Sequence, residues 1–143
     1  MEWISLLGIL GYFSVEDLRK KSIQLVPLLA AAIAGVLFHM YFSRISIWNL
    51  IGGMAVGAGL YIISVLSNER IGKGDALLMS VTGIFLGFWD NLMLLWVSML
   101  VAMVAGIGAV LILKKNRRYE MPFIPFVFTG YLIYLSINRG GLA

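Results

Sequence analysis

Apolar stretches long enough to cross a lipid bilayer follow one another along almost the whole chain, separated by short charged or turn-rich breaks. They cover roughly residues 2–18, 22–42, 46–66, 73–89, 91–113 and 121–138. At ~1.5 Å of rise per residue, helices of these lengths match a hydrocarbon core of ~30 Å. Of the 143 residues, 61% are hydrophobic and only 13% are charged. A soluble domain is closer to half apolar and a quarter charged, and one core of this size could not hide the surplus. The expectation is an all-α, polytopic integral membrane protein with about six transmembrane helices, in which residues 1–143 form a single domain embedded in the lipid bilayer.

The basic residues orient this bundle. Arg19, Lys20 and Lys21 fall in the first break, Arg70 and Lys73 in the third, and Lys114, Lys115, Arg117 and Arg118 in the fifth. Nine of the eleven Lys and Arg residues thus lie in odd-numbered connections, leaving Arg44 and Arg139 for the other side. The odd connections are expected on the cytoplasmic side of a multi-pass cell-membrane protein, with both termini outside. The start Met1-Glu2-Trp3 has no basic stretch before its apolar run, so no cleavable signal peptide is expected.

Several chemistries drop out early. The chain has no cysteine, which excludes disulfides, thiolate-bound zinc and thiol catalysis. Its single histidine, His39, reads as an interfacial side chain rather than a ligand or base. No metal site, cofactor or nucleic-acid partner is expected. Gly53/Gly57, Gly83/Gly87 and Ala30/Ala34 carry small-xxx-small spacing, which suits close helix packing and leaves a homo-oligomer open. Trp3, Trp48, Trp89 and Trp96 read as anchors at the membrane surface.

Against this background the acidic residues stand out. Glu2 and Asp90 fall on the outer side, whereas Glu16, Asp17, Glu69, Asp75 and Glu120 collect at the cytoplasmic face. Asp17 closes the first span and Asp75 opens the fourth, so the topology lets them meet at one depth. A carboxylate at the edge of a bilayer is costly and marks a functional site by default. Two held together cannot both ionise cheaply, so the pair offers an acid and a base at once. The base takes a proton from a bridging water and the acid protonates a scissile carbonyl, with no covalent intermediate. Gly72 and Gly74, flanking Lys73, permit backbone shapes closed to other residues and a close approach by substrate. A solvated helix cap or ion pair is the competing reading of these aspartates. Gly72-Lys73-Gly74-Asp75 lacks the spacing of a phosphate-binding loop.

Three stretches resemble the type IV prepilin peptidases, membrane aspartic proteases of the GxGD class. They are Glu16-Asp17-Leu18-Arg19-Lys20-Lys21-Ser22-Ile23, Gly72-Lys73-Gly74-Asp75-Ala76-Leu77-Leu78, and Met121-Pro122-Phe123-Ile124-Pro125-Phe126. The last is similar to a Pro-Phe-x-Pro-Phe segment that opens the family's final helix. The resemblance spans essentially the whole chain. It implies that Asp17 and Asp75 are the catalytic pair, with Gly72, Lys73, Gly74, Pro122, Phe123 and Pro125 supporting them. It also implies an endopeptidase that removes short basic leaders from pilin-like precursors at the cytoplasmic membrane face, just before the precursor's hydrophobic helix. Glu16, Glu69 and Glu120 are then candidates for receiving the basic leader. Gln24-Leu25 stands where the family commonly has Pro-Asn. Larger members carry a Cys-rich domain linked to N-methylation; this chain has neither the cysteines nor the room, so no methyltransferase activity is expected. Two other readings compete: a small transporter or channel subunit that uses the aspartates to bind a proton or cation, and a non-catalytic assembly subunit. No inverted repeat supports the first.

Overall fold

The computed structural model describes residues 2–42, 45–68, 70–114 and 121–140. Among them the chain forms six helices and no strand: α1 (Glu2–Lys20), α2 (Leu25–Phe42), α3 (Ile47–Leu66), α4 (Lys73–Leu86), α5 (Phe88–Leu111) and α6 (Ile124–Gly140). Each helix answers one apolar stretch of the sequence. Three of them, α2, α3 and α5, are long and apolar enough to cross a membrane.

The short fourth helix is the hub. Its 14 residues span about 21 Å, less than a hydrocarbon core. From Ala76 onward it is buried or half-buried on every side, as a helix enclosed by others is. Ala76, Leu78, Met79, Val81, Thr82, Gly83, Ile84 and Phe85 are all buried, with α1, α2, α3 and α5 packed around them. α6 closes the bundle by packing against α5 and α1. The outer faces stay apolar: Val26, Met40, Leu66, Trp48 and Trp89 are exposed. So large an apolar surface is stable in lipid and not in water.

Glycine sets the closest contact. A Cβ on Gly53 would collide with the Gly83 carbonyl, and one on Gly57 with Ser80 and the Ala76 carbonyl. The Gly53/Gly57 pair therefore joins α3 to α4 within one chain. Where these backbones touch, Asn91 of α5 ties three helices together. Its Nδ2 donates to the Gly53 carbonyl at 3.0 Å and the Met79 carbonyl at 2.9 Å, and its Oδ1 accepts from Thr82 Oγ1 at 2.7 Å. Asn91 and Thr82 are wholly buried.

The junction of the fourth and fifth helices corrects the expected boundary. The break falls at Gly87, with φ 79° and ψ −173°, a conformation essentially reserved for glycine. Asn49 Oδ1 accepts the Phe88 amide at 2.8 Å and holds the turn. Asp90, expected in the break, instead sits in the first turn of α5, where the helix dipole favours it. His39, in the last turn of α2, is buried at 5% exposure.

Candidate active site

The three sequence stretches singled out above converge at one end of the bundle. α1 ends just after Asp17, where the Lys21 amide caps the Asp17 carbonyl at 2.9 Å. Lys21 itself takes a left-handed conformation, φ 49°, and turns the chain out of the helix. The following connection brings Ile23 against Gly74, and α2 starts two residues later, at Leu25. α4 starts at Lys73 with Gly72 as its N-cap, which puts Asp75 in the first turn.

Between these pieces lies a cleft of about 950 Å³. Asp17 and Asp75 both line it, and Asp75 feels the charge of Asp17. Gly72, Lys73, Gly74, Pro122 and Phe123 line it too. Asp17 is 7% exposed, while Asp75 is half-buried. Leu60 of α3 and Leu95 and Met99 of α5 form an apolar wall, and Lys21, Arg70 and Lys73 add positive charge. The cleft thus carries two carboxylates and three cations beside a greasy surface. Among the described residues, no three His, Cys, Asp or Glu side chains gather as metal ligands.

The glycines of Gly72-Lys73-Gly74-Asp75 act through space rather than through unusual dihedral angles. Gly72 has φ −61° and ψ 130°, open to any residue. A Cβ there would stand 2.8 Å from Asp75 Oδ2, so glycine leaves room for the carboxylate to fold back over the helix start. A Cβ on Gly74 would come within 2.9 Å of Ile23 Cδ1. Gly74 of the second stretch thus leaves room for Ile23 of the first, and the two stretches meet there.

The third stretch reaches Asp17 through the backbone. Ile124, the first residue of α6, donates its amide to Asp17 Oδ2 at 3.3 Å. Pro125 lies one residue further along and does not line the cleft. Glu16, next to Asp17, is buried outside the cleft lining; its Oε1 lies 4.0 Å from Lys20 Nζ and its Oε2 has no described partner. Glu69 and Glu120 lie outside the described residues. Sequence reasoning missed the lining roles of Leu60, Leu95 and Met99. No local pattern distinguishes them from lipid-facing residues, because their role depends on how α3 and α5 pack.

A search of curated proteins and one of solved structures each return no match. The sequence profile of the type IV leader peptidase family matches residues 4–113, a region that holds both aspartates and ends before Pro122. The chain therefore belongs to the type IV leader peptidase family and is a peptidase.

Proposed function

We propose that this protein is an aspartic endopeptidase of the cell membrane, in which Asp17 and Asp75 activate water to cleave the basic leader from pilin-like precursors at the cytoplasmic face. The observation that carries this reading is the shared cleft: two carboxylates distant in sequence face one cavity at one end of a membrane bundle. Water held between them attacks the scissile carbonyl carbon. One aspartate takes a proton from that water while the other gives its proton to the carbonyl oxygen. The tetrahedral intermediate then collapses, the C–N bond breaks, and the leaving nitrogen takes the proton first removed from water. The apolar wall of Leu60, Leu95 and Met99 suits an apolar segment beside the scissile bond. The burial of Glu16 beside Lys20 favours an internal ion pair over a docking role for that residue.

The test is co-expression with pilin-like precursors, followed by mass measurement of their N-termini. Asp17→Asn and Asp75→Asn each preserve shape and remove the titrating group. Each is expected to lower cleavage by at least ~10²-fold, the scale of general acid–base catalysis, while the protein still inserts and accumulates normally. Robust turnover by either variant would sink the two-aspartate mechanism.

A further inference from the structure

We infer that the 121–126 segment decides which aspartate is the base: the Ile124 amide holds Asp17 ionised and leaves the shared proton on Asp75. This rests on the reading that the two aspartates are the catalytic pair.

The argument is an accounting of amide donors. A helix start leaves its first amides without partners inside the helix. In α6, Pro125 has no amide hydrogen. The Phe126 and Val127 amides both return to the Phe123 carbonyl, at 2.9 and 3.2 Å. The Ile124 amide remains, and it goes to Asp17 Oδ2. The Pro-Phe-x-Pro-Phe pattern thus leaves one first-turn donor for the carboxylate on α1. No described donor bonds the Asp75 carboxylate. Asp75 lies in the first turn of α4 and Asp17 beside the start of α6, so both of those dipoles favour negative charge, whereas the C-terminal end of α1 and burial at 7% exposure oppose it on Asp17. The Ile124 amide is the direct donor that answers this opposition, because a hydrogen bond given to a carboxylate favours its charged form. The other charged groups facing the cleft are Lys21, Arg70 and Lys73, with Glu16 and Lys20 nearby on α1. They act on the pair in parent and variant alike.

Ile124 is on this account a positioning residue. Asp17 takes the water proton as oxygen attacks carbon, and Asp75 gives its proton to the carbonyl oxygen. On collapse Asp17 passes its proton to the leaving nitrogen, and Asp75 recovers one from the intermediate, so the pair returns to its starting state.

The test removes one hydrogen. Ile124→Pro deletes the amide donor at a position where proline is well tolerated, and Ile124→Val controls for lost packing. The readout is the pH profile of kcat/KM on a precursor. The amide bond stabilises ionised Asp17 both when Asp75 is protonated and when it is not. Its loss therefore raises only the first proton release of the pair. The acidic limb is expected to move up by about one pH unit in Ile124→Pro relative to Ile124→Val, with the alkaline limb fixed. A backbone ester at position 124 removes the same hydrogen, keeps the side chain and serves if the proline variant does not fold. Movement of the alkaline limb, alone or by as much, overturns the assignment, as does no movement of either. Activity in the Asn variants would instead overturn the pair itself, so the two failures are distinct.

Discussion

The two ends of α4 contrast sharply. Around Gly83 the structure is closed: backbones touch, and buried Asn91 and Thr82 satisfy one another and their neighbours. Around Asp75 it is open, with two carboxylates and three cations facing a cleft. Both ends use glycine for space, but the space serves different purposes. At Gly83 it admits another helix backbone. At Gly72 it admits the carboxylate of Asp75 itself. At the closed end polar groups are buried among one another, whereas at the open end Asp17, Asp75, Lys21, Arg70 and Lys73 face the cleft.

The strongest test of this contrast is Gly83→Ala. Its Cβ would meet the Gly53 carbonyl and Asn91 Nδ2, and backbone cannot swing aside as a side chain can. Overpacking of this kind costs about 3 kcal/mol or more. The variant is expected to lose detergent-resistant folded protein, measured by size-exclusion recovery and thermal scanning. Normal thermal stability would mean that α3 and α4 have slack at this crossing.

Asn91→Ala comes next. It removes three buried hydrogen bonds from a dry interior, at about 0.5–1.5 kcal/mol each, while the Thr82 hydroxyl keeps its bond to the Met79 carbonyl at 3.0 Å. The expected result is a lower unfolding midpoint with near-normal activity per folded molecule. Loss of activity without loss of stability would show that the closed end feeds into the cleft.

How much of this could be read beforehand follows the same divide. The six apolar stretches, the aspartates and the three short motifs are local patterns, and bilayer length or residue spacing makes them visible. The Gly87 break was not visible, because Asp90 looked like a loop residue while a glycine conformation and Asn49, distant in sequence, made the turn. Asn91 carried no signal because its partners lie on α3 and α4. Gly72 and Gly74 were expected to bend the backbone, and the structure shows instead that they make room, a distinction that needs the positions of Asp75 and Ile23.

That distinction makes the smallest and most discriminating prediction. Gly72→Ala places a methyl 2.8 Å from Asp75 Oδ2 and 3.3 Å from its Cγ, so the carboxylate must rotate from its place. Gly74→Ala meets Ile23 Cδ1 at 2.9 Å, but that is the end of a flexible side chain and can yield. Lys73→Ala removes an exposed cation at the rim, and surface charges contribute ~0.2–1 kcal/mol. The expected order of activity loss is Gly72→Ala, roughly tenfold or more from displaced catalytic geometry, then Gly74→Ala, then Lys73→Ala. All three should unfold at nearly the parent temperature, since the open end contributes little packing to lose. Cleavage is compared at matched protein levels, with thermal stability measured for each variant. If Lys73→Ala is dead while Gly72→Ala is fully active, the lysine charge carries the function of this turn, and room for the Asp75 carboxylate is not what its glycines provide.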